Sequence, residues 1–402
     1  MSVLFTSQMV GNIEIKNRFV HSATYEGMAG SDGKVTKKLI KRYQRLAQGD
    51  VGLIIPGFMY VHPLGRAYDA PMGIHSDDMI EGLTSLVKAV HEFDSKIFFQ
   101  INHAGQQTRP KDIGQTPWAP SSSVRDPINF FKPRQMDEVK IKEAANAFAD
   151  AAERAVKAGA DGIQVHCAHC YLINQFLSPF FNRRQDKWGG SSENRFRFLK
   201  QVIQSIQERV PDDFCITVKL NTNDFTPRPG ITPELAVEYA GMLKDLGVDM
   251  IEVSCGSSTF SYMNMCRGDV PVKELVQSMP LWKKPVAWFM IHSLKGRYDL
   301  VEGYNTAAAR SIRSVTGDIP LALVGGMRTL DKMSQAVTDR DADLISMSRP
   351  FIREPFIVKK FKEKKRDKVA CVSCNRCLAA IANGFPVRCY NRQFPMKTNN
   401  RL

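Results

Sequence analysis

Short apolar runs alternate with segments of helical periodicity along most of the chain, and this alternation constrains the fold more than any other feature. Runs that are apolar throughout are typical of parallel strands buried on both faces. Between them apolar residues recur at the helical period, as Ile141, Phe148 and Ala152 do. We predict an α/β fold of eight strands, each followed by a helix, closed into a (β/α)8 TIM barrel. The predicted strands are Phe19–Thr24, Val51–Ile55, Ile97–Ile101, Gly162–Val165, Cys215–Leu220, Met250–Val253, Leu321–Val324 and Leu344–Met347.

Two connections are much longer than the others, roughly residues 108–135 after the third strand and residues 256–298 after the sixth. Both follow a strand, so both lie at the C-terminal face of a barrel, where the active sites of such folds are built. The segment after about residue 365 has a different character because it is rich in cysteine. We therefore predict a barrel over residues 1–365 and a four-cysteine extension over residues 366–402 that packs on it.

The chain has 402 residues and a formal net charge of +14, which would favour nucleic acid if it were concentrated. Much of this charge lies in two short clusters, residues 37–42 and 359–366, without a known nucleic-acid motif. We interpret them as solvated helix faces and expect no nucleic-acid partner. No apolar run approaches the ~20 residues that span a bilayer, and the N-terminus has no signal-peptide pattern. We expect a cytoplasmic chain without a membrane partner.

The densest set of reactive side chains lies at the end of the fourth predicted strand, in the run ValHisCysAlaHisCysTyr. The spacing of His166, His169 and Tyr171 can direct two imidazoles and a phenol at one point above a barrel. Two imidazole N–H groups could hold a substrate oxygen, and a phenol with a pKa of about 10 suits protonation of a carbanion-like carbon. The alternatives are a zinc site that includes Cys167 and Cys170, or histidines satisfied within the core.

Several longer blocks occur in a fixed order along the barrel. They are AsnArgPheVal (17–20), GlnIleAsnHisAlaGly (100–105), the HisXXHisXTyr cluster, PheLeuSerProPhePheAsnArgArg (176–184), TrpGlyGlySerSerGluAsnArg (188–195), ValGlyGlyMetArg (324–328) and SerArgPro (348–350). Together they resemble the old yellow enzymes, or NADH:flavin oxidoreductases, over about residues 3–357. The resemblance implies an FMN-dependent oxidoreductase.

The resemblance also implies which residues bind FMN. Lys219 stands where the family has a cation over the N1 and C2=O side of the flavin, and such a cation stabilises the anionic reduced ring. Gln100 matches the glutamine at the pyrimidine edge, and Tyr25 takes the place that tunes the flavin O4 region. The other expected contacts are Ser22, Ala23 and Thr24 after the first strand, Gly57 and Phe58 after the second, and Gly325, Gly326, Ser348 and Arg349 around the phosphate.

By the same resemblance, His166 and His169 take the place of the pair that holds the substrate oxygen, and Tyr171 that of the proton donor. The chain departs from the family at Cys170, where Gly is usual, and at Tyr25, where many members have Thr or Cys. These differences bear on the substrate more than on the cofactor.

Four of the nine cysteines lie close together, at Cys371, Cys374, Cys377 and Cys389. An odd total without a secretory signal argues against disulfides and favours metal binding in a reducing compartment. Three cysteines at steps of three with a distant fourth are typical of a [4Fe–4S] cluster, with structural zinc as the alternative. The motif resembles the iron–sulfur branch of the family, which includes the barrel domains of 2,4-dienoyl-CoA reductase and trimethylamine dehydrogenase.

In those relatives the cluster passes electrons between FMN and a further FAD/NAD(P)H module. Thirteen residues follow Cys389, so we expect that module to be lacking and leave the donor open between NAD(P)H and a ferredoxin-like partner protein.

Three functions remain. The first is an ene-reductase for a small molecule with an activated alkene, with Tyr171 as proton donor. The second is an amine or demethylating dehydrogenase that passes electrons outward, although no aromatic bowl for a cation is obvious in the sequence. The third is a flavin and cluster subunit of a larger electron-transfer complex.

Overall fold

The computed structural model describes residues 2–122, 124–126 and 131–395. Its centre is a barrel of eight parallel strands: β1 (Phe19–His21), β2 (Leu53–Ile54), β3 (Lys96–Asn102), β4 (Gly162–Cys167), β5 (Cys215–Asn221), β6 (Met250–Ser254), β7 (Leu321–Val324) and β8 (Leu344–Met347). Each strand pairs with the next along the chain, and β8 pairs with β1, so the barrel is closed. The predicted fold class and all eight predicted strands are confirmed, with ends that differ by a few residues.

Each strand is followed by a helix on the outside of the barrel. These are α1 (Lys37–Gln48), α2 (Ile80–His91), α3 (Glu138–Lys157), α4 (Ser192–Gln207), α5 (Pro233–Asp245), α6 (Thr306–Thr316), α7 (Leu330–Thr338) and α8 (Ile357–Lys362). Polar N-cap side chains begin several of them, and Asp137 for example accepts a hydrogen bond from the N–H of Lys140 at the start of α3. The predicted apolar stripe of α3, including Ile141 and Phe148, is buried.

Shorter elements occupy the connections. The additional helices are Pro110–Ile113, Leu172–Leu177, Tyr262–Met265, Val272–Gln277, Lys284–His292, Arg349–Arg353 and Arg376–Ala382, and the additional strands are Gln8–Val10, Ile13–Ile15, Met59–Tyr60, Met72–Gly73, Trp118–Ala119 and Arg134–Gln135. We call Lys284–His292 the insertion helix and Arg376–Ala382 the cysteine helix. Among the described residues, no helix is long and apolar enough to cross a membrane.

Alternate side chains of the strands fill the inside of the barrel in layers. The layer near the strand N-termini is apolar and includes Val20, Leu53 and Phe98. It packs against Val10 and Ile15 of an N-terminal hairpin, which closes this end of the barrel. Polar residues therefore gather toward the opposite end, where the strands finish.

Candidate active site

Two adjoining cavities lie at the C-terminal ends of the barrel strands, with volumes of about 540 Å³ and 190 Å³. Thr24, His169 and Lys219 line both of them, so the two form one continuous hollow. Of the predicted site residues, the larger cavity is lined by Ala23, Thr24, Tyr25, Phe58, Gln100, His166, His169, Tyr171 and Lys219. The smaller one is lined by Ser22, Ala23, Thr24, His169, Lys219, Gly326, Ser348 and Arg349.

Two predicted flavin contacts, Gly57 and Gly325, are not among the lining residues of either cavity. The N–H of Gly57 donates to a carboxylate oxygen of Glu26 and to the hydroxyl of Tyr43. The carbonyl of Gly325 accepts a hydrogen bond from the N–H of Tyr304. Both glycines therefore support the strand ends beside the cavities.

The imidazoles of His166 and His169 and the phenol of Tyr171 come together in the larger cavity. The ring centroids of His166 and His169 are 5.2 Å apart, and those of His166 and Tyr171 are 5.0 Å apart. His169 shares a hydrogen bond between its Nε2 and the hydroxyl of Ser254, at 2.8 Å. The Nδ1 atom of His166 is buried and has no hydrogen-bond partner among the described residues.

The backbone turns sharply at the end of β4, which brings His166 and Tyr171 to the same cavity. His169 and Cys170 both have left-handed φ angles, +62° and +65°, and this conformation disfavours residues other than glycine. Cys170 is held in place because its N–H donates to the Asn174 side chain and its thiol donates to the hydroxyl of Ser257. The left-handed φ at position 170 agrees with the glycine that is usual there in the family that the sequence resembles.

The zinc site considered for this cluster does not form in the described residues. Cys167 packs in the hydrophobic core, and Cys170 packs against Phe180 and Phe181. Among the described residues, no group of three or more His, Cys, Asp or Glu side chains is arranged to hold a metal ion.

Burial fixes the protonation of the three reactive groups. It lowers the pKa of His169 to about 3 and that of His166 well below the ordinary value, and the nearby Lys219 adds to both effects. Burial also raises the pKa of the Tyr171 phenol, and the electrostatic effect of the neighbouring Tyr68 raises it further. Both imidazoles are therefore neutral, and the phenol carries its proton, at ordinary pH.

A continuous polar network crosses the barrel beneath the cavity, and two of its members were not predicted. The Gln100 amide donates to the amide oxygen of Gln164, and the Gln164 amide donates to the Glu252 carboxylate. Glu252 also forms a buried ion pair with Lys219, at 3.0 Å, and the Lys219 ammonium donates to the hydroxyl of Ser22. Gln164 and Glu252 thus fix two predicted flavin contacts, Gln100 and Lys219. The only sequence feature that could have indicated a role for Glu252 is its position as a carboxylate within the otherwise apolar run of β6.

The smaller cavity has polar groups without partners, as a phosphate site requires. The Ser346 hydroxyl and the Nε of Arg328 are buried and have no hydrogen-bond partner among the described residues, and both residues line this cavity. Gly326 lines this cavity with a φ of +74°, a conformation that favours glycine, and it has no side chain to cover its backbone N–H. Thr24 and Ser348 share a hydrogen bond of 2.7 Å between their hydroxyls. These donors fit the phosphate end of FMN.

The segment that carries the four cysteines, described over residues 366–395 and here called the cysteine segment, is fastened to this same side of the barrel. Arg328 donates to the hydroxyl of Ser373, and Arg349 donates to the side-chain oxygen of Asn375. Arg349 lines both the smaller cavity and a third cavity of about 20 Å³. This third cavity is lined by all four predicted metal ligands, Cys371, Cys374, Cys377 and Cys389.

The cysteine segment also closes one side of the larger cavity, which the sequence did not predict. Leu378, Ile381 and Phe385 line it, together with Leu275 of the long connection after β6. Other residues of the lining are polar and include Arg109, which pairs with Asp69 and Asp112. The cavity therefore has an apolar wall that comes from the end of the chain.

Four buried histidines, His21, His103, His166 and His169, make the stability of the fold sensitive to acid. Burial lowers the pKa of three of them to about 3 and that of His166 well below 6.5. Between about pH 3 and 6.5 the unfolded chain therefore binds more protons than the folded chain. The free energy of unfolding then falls as pH falls, by about 1.4 kcal/mol per pH unit for each histidine. Burial raises the pKa of Glu26 to about 7 and also raises those of Asp224 and Asp249, which opposes this trend, but these three carboxyls are fewer than the four histidines.

We expect the thermal unfolding midpoint of the holoprotein, followed by circular dichroism, to be nearly constant above about pH 7 and to fall steeply below about pH 6. A midpoint that stays constant down to about pH 5 would show that these imidazoles are not held neutral by the fold.

Comparisons with known proteins agree with this geometry. The sequence profile of the NADH:flavin oxidoreductase / NADH oxidase family matches residues 3–276. The NADH oxidase of Thermoanaerobacter brockii is 34% identical over 377 residues, which are 92% of this chain and 52% of that protein. The NADPH dehydrogenase of Clostridium acetobutylicum is 32% identical over 355 residues, which are 88% of this chain and 93% of that protein. The chain thus spans about half the length of the first relative and most of the second.

A solved structure of 2-naphthoyl-CoA reductase in complex with 2-naphthoyl-CoA is also similar. It is 25% identical, with a TM-score of 0.84, and the match covers 96% of this chain and 56% of that chain. The similarity therefore extends through the barrel and into the cysteine segment.

Proposed function

The chain belongs to the NADH:flavin oxidoreductase / NADH oxidase family, the family of the old yellow enzymes, and we propose that it acts there as an ene-reductase. Membership of this family makes it an FMN-dependent oxidoreductase. It would add a hydride and a proton across the activated C=C bond of a small molecule. The observation that carries the proposal is the convergence of His166, His169 and Tyr171 in one cavity, with neutral imidazoles and a protonated phenol.

The two adjoining cavities support the proposed FMN contacts. Gln100 and Lys219 would hold the ring, and both are oriented by the buried network through Glu252. Gly326 and Ser348 would hold the phosphate end in the smaller cavity. Reduced FMN, when bound, supplies the hydride for the β-carbon of the substrate.

His166 and His169 would hold the carbonyl oxygen of the substrate. The hydrogen bond between His169 Nε2 and Ser254 leaves Nδ1 as the remaining ring nitrogen. In the tautomer in which the serine hydroxyl donates to Nε2, the ring N–H is on Nδ1 and would face the substrate oxygen. Such a donor stabilises the negative charge that develops on the oxygen as the hydride arrives. Because burial keeps both imidazoles neutral, each ring has one N–H group that donates and one nitrogen that accepts.

Tyr171 would deliver the proton to the α-carbon. Its phenol keeps its proton because burial raises the pKa, and its hydroxyl lies 3.5 Å from that of Tyr68. Tyr68 is partly exposed to solvent. It would therefore be the group through which Tyr171 regains a proton after each turnover.

The shape of the larger cavity supports an activated alkene with an apolar body as the substrate class. The carbonyl would lie at the histidines, and the body would extend toward Leu378, Ile381 and Phe385. Apolar side chains on one wall and a few directed polar groups at one end are typical of small-molecule sites.

For the C-terminal segment we propose a [4Fe–4S] cluster, held by Cys371, Cys374, Cys377 and Cys389 in a unit over residues 366–402 that packs on the barrel of residues 1–365. All four thiols line one small cavity. Three cysteines at steps of three with a distant fourth are more typical of a [4Fe–4S] cluster than of a tetrahedral zinc site.

A cluster held by these cysteines would supply single electrons, and Arg349 lines both its cavity and the proposed phosphate site. The donor would be NAD(P)H directly or a ferredoxin-like partner protein through the cluster.

An amine dehydrogenase is the second candidate, because aromatic rings do gather in the larger cavity. Tyr25, Phe58, Tyr68 and Tyr171 come from separate parts of the chain and lie within 6.1 Å of a neighbouring ring centroid. Aromatic faces attract substrate cations. However, Tyr25 stacks on Tyr68 at 4.8 Å and on Phe58 at 5.9 Å, so these rings cover part of one another's faces. Because the stacked rings leave less aromatic face open to a substrate cation, this arrangement favours the ene-reductase over the amine dehydrogenase.

Replacing His166 with Ala tests the oxygen-holding role. We expect the dissociation constant of a para-substituted phenol that binds as its phenolate, whose charged oxygen mimics the developing charge on the substrate oxygen, to rise by roughly 10- to 100-fold, the range for loss of a hydrogen bond to a charged group. Titration followed by flavin absorbance measures it. Cys167→Ala is the matched control, since Cys167 follows His166 in the same strand but packs in the core. An unchanged phenol affinity in His166→Ala would count against the role.

A further inference from the structure

The long connection after β6 carries an apolar surface that the rest of the described chain leaves open to solvent. We call it the insertion patch, and it consists of Leu281, Trp282, Val286, Phe289 and Met290. Leu281 is 81% exposed, Trp282 77% and Phe289 72%. Monomeric proteins rarely expose so many large apolar side chains side by side, and such patches mark interaction sites.

The insertion helix is apolar on both sides, which a helix that only covers a barrel does not need. Its inner side packs through Ala287 and Ile291 on a small apolar cluster with Val272 and Val276. Its outer side, where polar residues are usual, carries the insertion patch instead. A helix that is apolar all round is typical of one that is covered on both sides.

The charge of this segment indicates what covers it. Residues 275–298 contain no Asp or Glu, and they contain Lys283, Lys284, Lys295 and Arg297. Exposed Trp, Phe and Leu flanked by Lys and Arg are typical of segments that lie in the interface of an anionic membrane. The aromatic rings enter the headgroup region while the cations meet lipid phosphates.

We propose that the insertion patch docks the protein on an anionic phospholipid surface. The insertion helix has nine residues, so it would lie on the bilayer and not cross it. The sequence predicts no membrane partner because the chain has no apolar run long enough to span a bilayer. Contact with the surface of a bilayer does not require such a run. A second copy of the chain suits the patch less well. In a symmetric interface the same surface of both copies meets, so the four cations of one copy would lie against the four cations of the other.

The same connection forms part of the larger cavity, through Tyr262, Met265 and Leu275. Docking by the insertion patch would hold this cavity beside the lipid phase, where apolar small molecules concentrate.

Flotation of the holoprotein with vesicles tests the proposal. We expect at least about tenfold more protein on phosphatidylcholine vesicles that contain about one third phosphatidylglycerol than on phosphatidylcholine alone, with the excess lost in high salt. Trp282→Ser combined with Phe289→Ser should abolish flotation, and Lys283→Gln with Lys284→Gln should remove the preference for anionic lipid. The matched control is Val139→Ser in α3, which changes an apolar side chain that is 71% exposed outside the patch.

Equal flotation of the wild type and the Trp282→Ser/Phe289→Ser variant, or no flotation with anionic vesicles, would overturn the proposal. It would also be overturned if sedimentation equilibrium showed a wild-type dimer that this variant converts to monomer, because the patch would then join two copies of the chain. Flavin content and circular dichroism of each variant establish that it is folded.

Discussion

Replacing Tyr171 with Phe is expected to slow the reaction of the reduced enzyme with an alkene by roughly 10²- to 10⁴-fold, the usual loss when a general acid is removed. The phenol lies in the cavity with both histidines, and burial keeps its proton in place. It acts only on the substrate carbon, so reduction of the flavin by the electron donor should stay within about twofold of wild type. Rapid mixing that follows the two half-reactions separately measures both effects.

Tyr68→Phe is compared with Tyr171→Phe in the same single turnover, in which the proposed return of a proton to Tyr171 is not yet needed. It removes the neighbouring phenol, 3.5 Å away, but leaves the proposed donor in place. We expect it to slow alkene reduction far less than Tyr171→Phe does. Equal slowing of both half-reactions in Tyr171→Phe, or a larger defect in Tyr68→Phe, would show that Tyr171 is not the proton donor.

The second large effect is expected for Cys377→Ala. Protein prepared without oxygen should contain about four irons and four acid-labile sulfides per chain, and this variant should lose them together with reduction by a one-electron donor. Cys377 is the most buried of the four cysteines and lines the third cavity with Arg349. FMN should remain bound, because its proposed contacts lie in the other two cavities.

Iron and sulfide analysis with flavin absorbance decides this prediction, and Cys215→Ala, at the closed end of the barrel, is the control cysteine. Stoichiometric zinc without sulfide in the wild-type protein would make the motif a structural clip. The enzyme would then have to take hydride directly from a nicotinamide.

The barrel could be predicted from the sequence because a strand covered on both faces leaves an unmistakable apolar run. The predicted ends of β1 and β2 differ from the observed ends by up to three residues. The roles of Gln164 and Glu252 could not be predicted, because a polar residue inside a barrel acquires its partners only from the register of strands far apart in the chain. Those two residues connect Gln100 to Lys219 through side chains on four neighbouring strands, β3 to β6.

The composition of the larger cavity was the least predictable part of the site. Ile381 and Phe385 line it although they follow His166 by more than 200 residues in the chain. Their position depends on how Arg328 and Arg349 fasten the cysteine segment through Ser373 and Asn375. No local pattern in the sequence signals such a contact. The HisXXHisXTyr cluster could be predicted because its members are close in sequence and share one strand end.

The most direct test of the central claim is anaerobic mixing of the fully reduced enzyme with a cyclic enone. We predict that the absorbance of oxidised flavin returns, with one saturated product formed for each flavin oxidised and with hydrogen from the flavin at the β-carbon of the product. Reduced enzyme that remains reduced in the presence of the enone, together with oxidised enzyme that is bleached by an amine, would contradict the ene-reductase and establish the dehydrogenase.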